Sequence, residues 1–190
     1  MLFRSRIMLQ LRAALRSLGR PQPDYLMECA VNLFERARVD GWRRNNGEPG
    51  FATSVDLEGS PVAGEDEHQQ WVVCEGICAT VAIRRAMLDD GATPGEIEHF
   101  EHCYRSFLDY VNDYLILKPG RWLRSLDANN KRYATLKCSP WDVYHSIQTT
   151  LAVRVPLWPP YASALSRDLL DKPKEAPSDK KSWNSFFRRH

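Results

Sequence analysis

A run of apolar residues long enough to cross a membrane is missing from this chain of 190 residues; a span needs roughly 20 in succession. Its start, Met1-Leu-Phe-Arg-Ser-Arg-Ile-Met8, places arginines where a signal peptide needs an unbroken apolar core. No membrane partner and a cytoplasmic location are therefore expected. An excess of charge is missing too, since 26 Lys and Arg stand against 24 Asp and Glu, a formal +2. That balance supplies no field to collect phosphates and argues against nucleic acid as a partner. Cysteine is sparse: Cys29, Cys74, Cys78, Cys103 and Cys138 are an odd set without CxxC spacing. Such a set speaks against a disulfide framework and fits reduced thiols packed as small apolar groups.

What is present is an ordinary globular composition, 43% hydrophobic and 26% charged, enough for one domain. Ile7, Met8, Leu11, Ala14, Leu15 and Leu18 repeat at helical spacing up to Gly19 and the Pro21/Pro23 pair, which predicts a first helix. After Asp24 as N-cap, Leu26, Cys29, Ala30, Leu33, Phe34 and Ala37 predict a second, ending at Gly41. Between Gly41 and Gly64 the period is lost, and Phe51 to Asp56 with the Glu58-Gly59 turn reads as a small β-hairpin loop. A third helix, about 69 to 88, shows a broad apolar face. The fourth opens on a Thr93-Pro94-Gly95-Glu96 capping box and reaches about residue 117. A second hairpin follows Pro119-Gly120, with its turn at Asn129-Asn130, and two helices at about 142–153 and 160–170 complete the folded part. Residues 171–190, rich in Lys, Arg and Pro and without a stripe, read as a disordered basic tail. The fold class expected is all-α: about three helix pairs with short β-hairpin insertions, an arc of a toroid and not a closed bundle.

The segment richest in chemistry is Trp141-Asp142-Val143-Tyr144-His145-Ser-Ile-Gln148. Asp142 as N-cap places Tyr144 and His145 in the first helical turn, where unpaired N–H groups and the helix dipole favour a neutral imidazole able to act as a base. A lone histidine near a helix start is more often structural than catalytic. Its surroundings carry more weight. Asp142-Val-Tyr-His145-x-x-Gln148, then Leu151 and Arg154-Val-Pro156-Leu157, resembles the C-terminal signature of the N-acylglucosamine 2-epimerase family. Gly50-Phe51 to Val62, Trp71-Val-Val-Cys-Glu75-Gly-Ile-Cys-Ala79, and Trp122 with Leu126-Asp127-Ala-Asn129-Asn130 resemble three further family motifs, in order, so that the likeness covers roughly residues 5 to 170.

That resemblance implies an arc of an (α/α)6 barrel, specifically its C-terminal half, and a reaction that removes a proton beside a sugar carbonyl and returns it, giving epimerisation or aldose–ketose isomerisation through an enediol. It implies His145 as the acid/base, Glu75 as a group that orients or polarises a sugar hydroxyl, Trp71 as a pocket wall, and Tyr144, Asp142 and Gln148 as further substrate contacts. The partner implied is a monosaccharide of the mannose, glucose or N-acylhexosamine class, with no cofactor and no metal. Ser5-Arg6-Ile7-Met8-Leu9 matches the end of a family segment whose Glu and aromatic positions are held here by Phe3 and Arg4, and whose His falls before Met1. Part of the catalytic set and the N-terminal half are thus expected to be absent, which predicts a homo-oligomer, a complementing half, or an inactive remnant that binds carbohydrate or serves as an interaction domain. His68 and Gln70 stand where relatives often show other pocket residues. His99 and His102, three apart with Cys103 adjacent, have metal-ligand spacing, but they lie opposite Phe100, Tyr104 and Phe107 on what reads as a solvated charged face. Nothing marks the pair of acids that a glycoside hydrolase needs.

Overall fold

The computed structural model describes residues 1–45, 48–62, 67–133 and 143–171. Helix α1 (Leu2–Ser17) begins five residues before the expected stripe and buries Leu2, Ser5, Arg6 and Leu9. Of the expected stripe, Met8, Ala14 and Leu15 are half-buried, with Met8 packed on the core, while Ile7, Leu11 and Leu18 are exposed. Periodicity marks an amphipathic helix, but a helix with two apolar faces leaves open which one is buried. Gly19, at φ 63°, ends α1, and Arg20 donates its backbone N–H to Leu15 O at 2.9 Å. Helix α2 (Tyr25–Gly41) buries Leu26, Ala30 and Phe34, as its pattern predicts, although Asp24 makes no side-chain cap bond. Ser5 Oγ donates to Ala30 O at 2.7 Å, a contact that needs a small side chain where α1 and α2 meet.

The first insertion is an antiparallel hairpin, β1 (Trp42–Asn45) with β2 (Glu48–Phe51), in which Trp42 faces Phe51. It begins earlier than the expected Phe51–Asp56 piece. Beyond it, Val55 and Pro61 bridge around a turn in which Gly59, at φ 85°, lies so close to the Asp40 carboxylate that a Cβ would collide with it. The hairpin carries Trp42 and Phe51 onto Phe107, with ring centroids 4.7 and 5.1 Å away.

Strand β3 (His68–Gln69) leads directly into α3 (Gln70–Asp89), which is buried along most of its length. Helix α4 (Pro94–Tyr110) starts with the predicted capping box: Thr93 N–H donates to Glu96 Oε2 at 2.7 Å. It ends at Tyr110, not near residue 117, because a π-helical turn over Val111–Leu115 widens the chain into β4 (Ile116–Lys118). Strand β4 pairs with β5 (Arg121–Trp122) through the turn at Gly120, and β6 (Ser125–Leu126) pairs with β3 instead of folding back on β5. The expected turn at Asn129-Asn130 is present as a loop closed by the Asp127 carboxylate, which accepts from Asn129 N and Lys131 N at 2.9 and 2.8 Å. Helix α5 (Val143–Ala152) matches its pattern; α6 (Tyr161–Ser166) is six residues long, shorter than expected.

Helix α3 is the centre, packing against α1, α2, α4 and α5. Its small residues Gly76, Ala79 and Ala82 allow this, and a Cβ at Gly76 would press on Phe51 and Phe107. The architecture is all-α with short strand pairs, as expected. Of the tail expected over 171–190, Asp171 donates its backbone N–H to Arg154 O at 2.7 Å; residues 172–190 lie outside the described residues, as do Trp141 and Asp142.

Candidate active site

Three helices contribute one buried polar side chain each to a single node. Glu75, in the second turn of α3, accepts from Arg6 of α1 at Oε2 (Nε, 3.0 Å) and Oε1 (Nη2, 3.2 Å), and from Gln148 Nε2 of α5 at 2.7 Å. All three are buried. The paired fork of a guanidinium on a carboxylate is the strongest geometry available to these groups. Burial by itself disfavours the Arg6 charge, but the hydrogen bonds and charge of Glu75 outweigh it and raise its pKa. Below the node, Cys78 is buried against Thr149, and desolvation together with the nearby Glu75 charge pushes its thiol up to about 11.

Above the node, one turn earlier on α3, Trp71 is partly exposed and its indole N–H donates to Gln69 Oε1 at 2.8 Å. The His145 ring lies beside it, with centroids 6.3 Å apart, and Tyr144 stands edge-on to His145 at 4.9 Å. His145 is half-buried, while Tyr144 is exposed. A cleft of about 580 Å³ opens between α1 and α5, lined in part by Arg6, Gln10, Tyr144, Gln148, Trp158 and Tyr161. That volume suits a small polar ligand. Tyr144 and Gln148 share one face of α5 and line the cleft; His145, one position off that face, turns toward Trp71 and is not among the lining residues.

The structure thus brings Glu75 and Gln148 into direct contact and gathers Trp71, Tyr144 and His145 into one aromatic group. Sequence reading missed Arg6, Gln10 and Tyr161. A signal existed for Arg6, the only arginine within the Ser5–Leu9 match; a buried arginine requires an acid, and Glu75 is the acid in the first half of α3. His68 and Gln70 do not line the cleft. His68 is buried and bonded through Nδ1 to Asn130 Oδ1 at 2.8 Å; Tyr110 Oη donates to the same oxygen at 2.9 Å, and Asn130 Nδ2 donates to Pro49 O at 2.7 Å. This second node joins the two β insertions. The charged face of α4 is solvated, as expected: Glu98, His99 and His102 are exposed, with His99 Nε2 meeting Glu35 of α2 at 2.7 Å and Glu101 pairing with Arg84 and Arg105 at the surface. Among the described residues no group of three His, Cys, Asp or Glu is placed to hold a metal ion, and no helix is long and apolar enough to cross a membrane.

A D-mannose isomerase of Pseudomonas cannabina pv. alisalensis is 32% identical over 163 residues, which is 85% of this chain and 37% of that protein. The chain therefore spans little more than a third of this relative's length. A solved structure titled crystal structure of D-mannose isomerase superposes with a TM-score of 0.62 at 20% identity, covering 78% of this chain and 34% of the other. The likeness shows the fold, part of an (α/α)6 barrel. The profile of the N-acylglucosamine 2-epimerase (GlcNAc 2-epimerase) family matches residues 4–149, and the chain belongs to that family.

Proposed function

We propose that this chain is the C-terminal module of a sugar epimerase or aldose–ketose isomerase, acting on a monosaccharide by proton transfer at C2. The observation that carries the reading is the convergence of α1, α3 and α5 on Glu75, with Trp71, His145 and Tyr144 at its rim. In this reading His145 takes the proton from C2 of the open-chain sugar, leaving an enediolate. Protonation of the opposite face of C2 by a donor on that side of the sugar epimerises it; return of the proton from His145 to the neighbouring carbon isomerises it. Trp71 and Tyr144 offer apolar faces to the sugar's C–H groups, and Gln148 and Arg6 supply donors toward the cleft. The Arg6 cation favours the charge that develops on oxygen, tempered by Glu75. No cofactor is needed for this chemistry.

A second reading, a non-catalytic carbohydrate-binding or interaction module, is favoured by one specific feature. Both Glu75 oxygens are already engaged by Arg6 and Gln148, so an incoming hydroxyl would have to compete with a buried ion pair. Solvent deuterium exchange into C2 of mannose, glucose or an N-acylhexosamine separates the two. The catalytic reading expects exchange that falls at least 100-fold in His145→Ala; exchange no greater than that of the variant leaves only the binding role.

A further inference from the structure

Helix α3 begins without the side-chain cap that its first position invites. Gln69 occupies the N-cap, on extended backbone, yet its side chain makes no bond to the first turn. Asp, Asn, Ser and Thr are preferred there because their short side chains reach the free N–H groups of the second and third helical residues. The Gln69 carbonyl is engaged elsewhere: Oε1 accepts the Trp71 indole N–H at 2.8 Å. The backbone of Gln69 is fixed from every side. His68, one residue before, is buried and bonded to Asn130; Gln70, one residue after, is buried and donates its N–H to Arg124 O at 2.9 Å. Gln69 itself pairs with Ser125 in the β3–β6 ladder. Successive side chains of a strand point to opposite sides, so with His68 turned inward, Gln69 is turned out to where the indole lies.

We propose that Gln69 is a positioning residue, which forgoes the helix cap in order to hold the Trp71 indole in one orientation beside His145. The inference rests on the reading of this site as a sugar pocket. Trp71 is 38% exposed, too open for packing alone to fix the turn of its ring. The indole N–H is the ring's single polar handle, and an acceptor on a pinned backbone secures it at little cost in entropy. So held, the ring lies 6.3 Å from His145, centroid to centroid, with 42° between the planes, and Tyr144 stands edge-on to the same imidazole at 4.9 Å. A wall that does not turn presents the same face to the sugar before and during proton transfer. Its contribution therefore belongs in KM and not in kcat. The loop layer joined at Asn130 thereby reaches the site: it holds His68 and β3, β3 holds Gln69, and Gln69 holds the indole.

Gln69→Ser separates positioning from stability, because a serine there caps α3 but is too short to reach the indole. The variant should be the more stable chain, with Tm raised by roughly 2–4 °C. It should also be the weaker binder: in solvent deuterium exchange at C2 of mannose, KM should rise roughly 3- to 10-fold while kcat stays within about 2-fold of wild type. The indole N–H resonance of Trp71, identified by its loss in Trp71→Phe, should exchange with solvent roughly 3- to 10-fold faster in Gln69→Ser. Gln69→Glu, whose carboxylate keeps an acceptor at the same reach, should return that exchange to the wild-type rate. A Gln69→Ser chain with unchanged indole exchange and unchanged KM overturns the proposal. So does a Gln69→Glu chain whose indole exchanges as fast as that of Gln69→Ser, or a loss confined to kcat. A wild-type chain that moves no deuterium into mannose removes the sugar reading itself, and the indole exchange rates alone then decide for or against Gln69.

Discussion

Glu75 and Cys78 lie less than one turn apart on α3, both buried. Glu75 accepts from the donors of Arg6 and Gln148, so replacing its carboxylate leaves the buried Arg6 cation without a counter-charge. Glu75→Gln is expected to destabilise the fold by about 3–5 kcal/mol in urea unfolding, and the double change Arg6→Met with Glu75→Leu to recover most of that loss. A double variant as unstable as the single one would show that the pair is not the source of the effect. At Cys78 desolvation outweighs the hydrogen bonds of Thr149 and Gln148, and the neutral thiol is the form the fold favours. Its folded pKa of about 11 lies above the ordinary 9.0, so its contribution to stability is fully present below about pH 9 and is lost as pH rises through about 11. Cys78→Ala should lessen the fall in melting temperature across that window. Iodoacetamide at pH 8 should modify the half-buried Cys29 while leaving Cys78 intact in peptide mass spectra of the folded chain.

Among the secondary-structure elements, α5 depends most on a neighbour. It is ten residues long, too short to be stable alone, and its last carbonyls are capped by a side chain of α3. Arg85 donates to Ala152 O at 2.5 Å, to Val153 O at 3.0 Å and to Val155 O, while its burial works against its charge and lowers its pKa. Arg85→Ala should cost about 1–3 kcal/mol and should raise amide exchange in α5 more than in α2. Uniform loosening of both helices would argue against a local cap. Local signals made α2, the α4 capping box and α5 readable from their residues, because spacing and caps act within one or two turns. The boundary of α4 was not readable, since the π turn at Val111–Leu115 is set by where β4 must meet β5.

Across the whole molecule, the β insertions form a layer tied together at Asn130. His68 precedes α3, Tyr110 closes α4 and Pro49 belongs to the first hairpin, so a single amide joins three parts of the chain. The fit is tight enough that a Cβ at Gly50 would collide with the His68 ring. Asn130→Ala should cost about 2–4 kcal/mol, since it leaves several buried polar groups without partners. Hydrogen exchange should then rise in β3, β5 and β6 ahead of α1 and α2. Equal loss of protection in the α1–α2 hairpin would mean that the layer and the helices form one cooperative unit.

The sequence by itself determined the helices, the two insertions and the family motifs, because apolar spacing, caps and turn residues are short-range instructions. It also named Glu75 and Gln148, which meet at 2.7 Å. Only the tertiary structure decided that Arg6 is their third member, that His68 belongs to the loop layer, and that Ile7 and Leu11 face outward while Leu2 and Leu9 face in. Each of these depends on a partner between about sixty and seventy-five positions away, or on which of two apolar faces another helix happens to meet. No local pattern of residues encodes that choice.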